Sequence, residues 1–139
     1  MTGLIRLALV VALGAVLHGA PGHAQDAYPT RTVRFVVPFP AGSGTDVLSR
    51  LLADALSRKW GRTVISENVP GASGNVGALE VWRSTPDGHT MMLAPPGPIA
   101  TNRFLFKEMA YDATKWVPVS WLTTVPYVCL LYTSPSPRD

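Results

Sequence analysis

The 139-residue chain is 47% hydrophobic and 15% charged, and its formal net charge is +3. This composition excludes an intrinsically disordered chain, and the small positive charge argues against a nucleic-acid-binding protein. A single cysteine, Cys129, excludes an internal disulfide and a multi-cysteine metal site. The length suits one domain with a modest core.

The first 24 residues have the organisation of a secretory signal peptide. Arg6 supplies the positive charge, residues 7–20 form an apolar run, and Gly22 and Ala24 are the small residues of a cleavage site. The apolar run is 14 residues long, which is short for a membrane span of about 20 residues. We therefore predict cleavage after Ala24 and export of the remainder.

Strands and helices are predicted to alternate along the rest of the chain. In chain order they are a strand at 32–37, a helix at 45–60, a strand at 63–66, a helix at 76–84, a strand at 89–94, a short helix at 99–106 and a proline-interrupted strand at 117–128. Thr45 or Asp46 is predicted to cap the first helix, and Gly61 to end it. The repeated strand-loop-helix unit predicts an α/β fold, with a parallel sheet flanked by helices.

Three loops rich in small residues or proline follow the first three strands, at 38–45, 68–75 and 95–98. Loops at the carboxyl ends of parallel strands share one edge of the sheet, and ligands bind there. Helix N-termini present free N–H groups and a positive dipole end, and glycines let a ligand approach them. We therefore expect one cleft that is suited to a small anion, such as a carboxylate, although the same residues could serve only as helix caps and turns.

Two nucleotide-binding alternatives fit the first loop poorly. A phosphate-binding P-loop needs a lysine, and no lysine lies between Pro38 and Arg50. A dinucleotide fingerprint would begin at residues 42–44, with Glu67 as the ribose-binding acid, but Val47 occupies the position of its third glycine.

An exported hydrolase that uses Ser43 as its nucleophile is the rival class of protein. Ala41 and Thr45 stand where a nucleophile elbow has glycines. His89 is the single histidine after residue 24, and we predict that it is a solvent-facing turn residue at the opposite edge of the sheet. One histidine and scattered carboxylates also form no metal-ligand cluster, so no metal is expected.

Five segments, in order, carry a family resemblance. They are YPTRTVRFVVPFPAGSGTDVLSRLLADAL at 28–56, ENVPGASGNVGALEV at 67–81, PDGHTMML at 86–93, YDATKWVPVSWL at 111–122 and VPYV at 125–128. Together they resemble the Bug-type extracytoplasmic solute receptors, which are the substrate-binding subunits of tripartite tricarboxylate transporters. The shared pattern is Val-Pro-Phe-Pro with a glycine-rich turn and Thr-Asp, followed by Asn-x-Pro-Gly-Ala-x-Gly and Pro-Asp-Gly.

The resemblance implies a periplasmic binding protein-like fold of two α/β lobes, with residues 25–128 forming the first lobe. It implies a small carboxylate ligand, membrane subunits of the transporter as partners, and neither a reaction nor a cofactor. By position, the implied ligand-binding residues are Phe39, Ala41, Ser43, Gly44, Thr45 and Asp46 in the first loop, Ser73, Gly74 and Asn75 in the second, and Pro95 and Gly97 in the third. Asp46 is assigned first to its own helix and second to the ligand.

Two stretches depart from that family pattern. PPGP at 95–98 replaces a loop rich in small hydroxyl residues and glycine, and Lys115 with Trp116 replaces an acid-phenylalanine pair. Residues 129–139 contain a serine-proline alternation, and we predict that they are a disordered or non-native tail.

Overall fold

The computed structural model describes residues 28–126 and 128–129. The predicted signal peptide and residues 130–139 of the predicted tail lie outside this part of the chain. The main elements are strand β1 (Val33–Val37), helix α1 (Gly44–Trp60), strand β2 (Val64–Asn68), helix α2 (Asn75–Arg83), strand β3 (Thr90–Met92) and the short helix α3 (Asn102–Leu105). Single turns of 3-10 helix lie at Ala72–Gly74 and Ala113–Lys115, and a π-helical turn at Gly97–Thr101 runs into α3.

The three strands form one parallel sheet in the order β2-β1-β3. Strand β1 is central, and Val33 pairs with Val64 of β2 while Arg34 pairs with Thr90 of β3. The chain moves to one side of β1 through α1 and returns to the other side through α2, so the strand order reverses beside β1. The parallel α/β prediction is confirmed.

Helices cover both faces of the sheet. Val33 and Phe35 point to one face, where they form a buried cluster with Ala53 of α1 and Val64 of β2. Arg34 points to the opposite face, and its guanidinium donates to Glu80 of α2 at 2.6 Å. Because both faces are covered, β1 is a nearly continuous apolar run, as buried parallel strands usually are.

Helix α1 begins and ends at defined caps. Ser43 is the N-cap, and its hydroxyl accepts a hydrogen bond from the Asp46 amide at 3.3 Å. The prediction that Thr45 or Asp46 caps the helix was therefore wrong by two or three residues, because the helix already starts at Gly44. The prediction for Gly61 is confirmed, since Gly61 has a left-handed φ of 62° and its amide bonds to Ser57.

His89 is buried, and its prediction as a solvent-facing turn residue was wrong. The centroid of its ring lies 5.1 Å from that of Tyr28, and its Nε2 is hydrogen-bonded to the Thr30 hydroxyl at 3.4 Å. Its backbone amide donates to the Asp87 carboxylate at 2.9 Å. Tyr28 packs over the His89 ring, and because Tyr28 is distant in sequence, no local pattern around His89 predicts this burial. His89 does precede β3, at the sheet edge opposite the three loops, as expected.

The predicted strand at 117–128 was also wrong. Among the described residues of this segment, none pairs with a strand, and the chain is irregular and exposed. Val117 and Trp121 are 84% and 81% exposed. The alternation of apolar residues resembles a strand, but a strand also needs a neighbour to pair with, and Pro118 removes a donor from such a ladder. Within the described residues, no helix is long and apolar enough to cross a membrane.

Candidate functional site

The first loop leaves β1 through Pro38 and is held by the helix that follows it. Pro38 is fully buried. Gly42 adopts a positive φ of 83°, and its amide donates to the carboxylate of Asp46 at 2.9 Å. Ser43 caps the helix, so the amides of Gly44 and Thr45 are left with no hydrogen-bond partner among the described residues. These two amides face outward at the positive end of α1.

Asp46 is the centre of a buried polar network under this loop. Its side chain is 4% exposed and pairs with Arg50 Nε at 3.0 Å. Asn68, at the end of β2, donates to both Asp46 and the Phe39 carbonyl at 3.0 Å. The hydrogen bonds from Arg50 and Gly42 lower the pKa of Asp46 to about 2. The carboxylate therefore bonds to its own loop and helix, and its contact with a ligand stays a prediction.

Acid should weaken the fold through this carboxylate. Asp46 and Asp87 both have a pKa lowered from 3.8 to about 2, the latter by the His89 amide and Arg31. A group whose folded-state pKa is depressed contributes stability above its unfolded pKa, and that stability is lost as pH falls through the folded value. We expect the free energy of unfolding, measured with urea, to fall between about pH 4 and pH 2.

The variant Asp46→Asn isolates the contribution of Asp46 to the pH dependence of stability. Its free energy of unfolding at neutral pH should be lower than that of the original chain, and should decline less between about pH 4 and pH 2. The decline that remains is the contribution of Asp87. Parallel curves of unfolding free energy against pH for the two proteins would contradict this assignment of the acid-sensitive group.

The second loop is built from backbone with positive φ. Gly71, Ala72, Ser73 and Gly74 have φ values of 141°, 46°, 54° and 91°. Positive φ is uncommon at alanine and serine, and such conformations persist where the surrounding structure imposes them. Here the Ser73 carbonyl accepts a hydrogen bond from Asn102 at 3.0 Å, and the Gly74 amide bonds to Gly71 at 2.9 Å. The loop therefore projects Ser73 to the surface in a fixed position.

Gly74 lets the three loops touch. A Cβ atom at this position would lie 2.6 Å from Pro98 Cγ and 3.4 Å from Phe39 Cζ. Pro98 belongs to the third loop and Phe39 to the first. Only a residue without a side chain allows the second loop to pack between them.

The third loop is fixed by Asn102 and Tyr111. Asn102 is 3% exposed, and its Nδ2 donates to Asn75 Oδ1 at 2.6 Å as well as to the Ser73 carbonyl. The Tyr111 hydroxyl lies 2.7 Å from the Pro98 carbonyl and 3.0 Å from Asn75 Oδ1. Burial raises the pKa of Tyr111, which keeps the hydroxyl protonated. The Oδ1 atom of Asn75 is thus hydrogen-bonded by both Asn102 and Tyr111.

A cavity of about 470 Å³ opens where the three loops meet. Its wall combines apolar and neutral polar residues from all three loops and from the turn before α3: Phe39, Ser73, Pro95, Pro96, Gly97, Thr101, Asn102 and Leu105. No charged side chain is among these lining residues. The structure therefore brings the three loops to one site at the carboxyl edge of the sheet, where the switch in strand order places it.

The residues predicted to bind the ligand divide into two groups. Those that line the cavity are Phe39, Ser73, Pro95 and Gly97. Those that lie elsewhere in the loops are Ala41, Ser43, Gly44, Thr45, Asp46, Gly74 and Asn75. Asn75 lines a second cavity, of about 240 Å³, that also includes Met109 and Tyr111.

Sequence reasoning missed two amide side chains, the half-buried Asn68 and the buried Asn102. Asn68 and Asn102 each hold a loop through a carbonyl that lies 29 residues away in the chain. Their only local signal is a polar amide beside an otherwise apolar strand or turn. Arg34 was missed too, and its pairing with Glu67 at 2.8 Å is absent from any local pattern.

Solved structures define the class of this fold. A periplasmic transporter protein superposes with a TM-score of 0.61 and 38% identity over 64% of this chain and 30% of its own. A protein from R. palustris solved with adipate gives a TM-score of 0.60 and 42% identity, over 63% of this chain and 29% of its own. MatC from Rhodopseudomonas palustris, solved with malate, gives a TM-score of 0.60 and 36% identity, over 63% of this chain and 30% of its own. The chain is one α/β lobe of the periplasmic binding protein class.

Residues 48–139 match the tripartite tricarboxylate transporter family receptor, and this chain belongs to that family. Protein BugT of Bordetella pertussis is 37% identical over 81% of this chain, and a protein from the ttuE-ttuC' intergenic region of Agrobacterium vitis is 35% identical over 85%. The chain spans 34% of the length of each of these two relatives. The resemblance to the Bug-type receptors is confirmed.

Proposed function

We propose that this chain is the first lobe of a periplasmic receptor that captures a small organic carboxylate for a tripartite tricarboxylate-type transporter. The observation that carries the proposal is the meeting of three loops at one cavity, at the carboxyl edge of the sheet. Two free amides of α1, at Gly44 and Thr45, lie at the same edge. Backbone N–H groups at a helix start are suited to bind a carboxylate.

Neutral groups, rather than a salt bridge, would provide recognition. The lining residues include the hydroxyls of Ser73 and Thr101 and the amide of Asn102, and no lysine or arginine. Hydrogen bonds to a charged group contribute about 1.5–3 kcal/mol each, so a few of them can hold a dicarboxylate without a cation. Apolar residues, including Phe39 and Leu105, would pack against its carbon chain.

The related structures support this ligand class. The R. palustris protein is solved with adipate and MatC with malate, and both superpose on this lobe with a TM-score of 0.60. Both ligands are small dicarboxylates. Receptors of this family are periplasmic, which fits the predicted signal peptide at residues 1–24. A second lobe and the membrane subunits of the transporter complete the proposed assembly.

A hydrolase that uses Ser43 is not favoured by the geometry. Among the described residues, the hydroxyl of Ser43 bonds to the Asp46 amide, and the single histidine, His89, lies at the opposite edge of the sheet. A serine nucleophile needs a base within hydrogen-bond reach. The dinucleotide alternative is not favoured either, because Glu67, its ribose-binding acid, is paired with Arg34. We therefore propose capture without a reaction.

Ligand-observed saturation-transfer NMR tests the proposal on the 139-residue chain. We expect adipate and malate to bind with dissociation constants in the millimolar range, roughly −4 kcal/mol, because one lobe covers only one side of a ligand. Adipamide, which has the length of adipate without its charges, is the matched control and should not bind. Equal signals from adipate and adipamide, or none from any carboxylate, would contradict the proposed ligand class.

A further inference from the structure

Asn102 holds an unused hydrogen-bond acceptor in the cavity wall. The residue is 3% exposed, and it lines the cavity. Nδ2 makes two hydrogen bonds, but Oδ1 receives none from the described residues. Of the described residues, only Trp116 has a fully buried side-chain nitrogen or oxygen without a partner. Asn102 Oδ1 is therefore not fully enclosed by the protein, and the cavity is the open space that Asn102 lines.

The orientation of this amide is fixed by the Ser73 carbonyl. A carbonyl oxygen can only accept, so the atom of Asn102 that lies 3.0 Å from it must be Nδ2. The same Nδ2 then donates to Asn75, which must present Oδ1. Oδ1 of Asn102 is consequently the atom on the other side, 3.5 Å from the Cβ position of Gly97. These hydrogen bonds exclude the alternative orientation of the Asn102 amide, in which Oδ1 and Nδ2 are exchanged.

We propose that Asn102 selects carboxylates that also carry a hydrogen-bond donor, a hydroxyl or an ammonium group on the carbon chain. The proposal rests on the proposed function and specifies the ligand class of the same site. A donor group would pair with Oδ1, whereas a methylene group would cover this acceptor and leave it without a partner. Sites with a buried polar group discriminate strongly against a ligand that lacks the matching group.

Three four-carbon dicarboxylates separate these possibilities. Malate carries a hydroxyl, aspartate an ammonium group, and succinate neither. Saturation-transfer NMR on the 139-residue chain gives a dissociation constant for each. We expect malate, aspartate or both to bind about tenfold more tightly than succinate, which is near the lower end of the cost of leaving a buried acceptor unpaired. Comparison of malate with aspartate identifies the donor.

The variant Asn102→Ala should remove this preference. A purely structural role of Asn102 would weaken all three ligands by the same factor, whereas a selective role reduces the ratio of malate or aspartate to succinate to about one. Tyr111→Phe is the matched control, because its hydroxyl belongs to the same hydrogen-bond network but does not line the cavity. The ratio should survive in that variant.

Two results would overturn the inference while leaving the proposed function intact. One is equal affinity of the three dicarboxylates for the original chain, which decides the matter even if Asn102→Ala does not fold. The other is a preference that survives in folded Asn102→Ala. Failure of all three dicarboxylates to bind would instead contradict the proposed function, and this inference with it.

Discussion

Replacing Gly74 with alanine should destabilise the lobe by roughly 2–5 kcal/mol. Two costs combine. The φ of 91° is unfavourable for a residue with a Cβ, and that Cβ would lie 2.6 Å from Pro98, which is fully buried and cannot move aside without repacking. Urea unfolding followed by tryptophan fluorescence measures the change.

Gly42→Ala and Gly44→Ala are matched controls. Gly42 has a similar φ of 83°, but its added Cβ would have no neighbour within 4 Å, so only the backbone cost of roughly 1–2 kcal/mol applies. Gly44 also has open space around the added methyl group and no positive φ, and should change little. If Gly74→Ala cost no more than Gly42→Ala, close packing of the three loops would not be what Gly74 provides.

The chain should self-associate through its exposed apolar segment at 117–126. Val119 and Trp121 are 80% and 81% exposed, and their backbone pairs with no strand among the described residues. Such backbone offers free hydrogen-bonding groups to another copy. Burial of each of these side chains contributes about 1.5–3 kcal/mol, so association at moderate concentration is expected.

The double variant Val119→Ser/Trp121→Ser should weaken this association by roughly 100-fold, as about 3 kcal/mol of apolar burial is lost. Sedimentation velocity over a concentration series measures it. Phe104→Ser is the matched control, since Phe104 is also exposed, at 76%, but lies on α3 outside the segment. An equal effect of Phe104→Ser would show that general surface hydrophobicity, rather than the segment at 117–126, drives association.

Local patterns predicted the scaffold because the scaffold obeys local rules. Val33–Val37 is a short apolar run of the kind that forms buried strands, and the apolar face of the helix at Gly44–Trp60 repeats with the helical period. Alternation of strands and helices then implies a parallel sheet, and the parallel sheet places three loops at one edge. The position of the cavity follows from this reasoning alone.

Local patterns could not predict the partners that fix the loops. Asn68 reaches the Phe39 carbonyl, and Asn102 reaches the Ser73 carbonyl, each across 29 residues of chain. Such pairs depend on how separate elements pack. The burial of His89 depends in the same way on Tyr28. The segment at 117–128 has the apolar alternation of a strand, but none of its described residues has a neighbouring strand.

Binding by the loops at the carboxyl edge of the sheet is the central claim, and backbone amide shift mapping tests it most directly. The ¹⁵N-labelled double variant Val119→Ser/Trp121→Ser would be titrated with malate to tens of millimolar. We predict shift changes concentrated at the amides of Gly44, Thr45, Ser73 and Gly97. Shift changes at Met109 and Tyr111 of the second cavity, with none at the loops, would contradict the account.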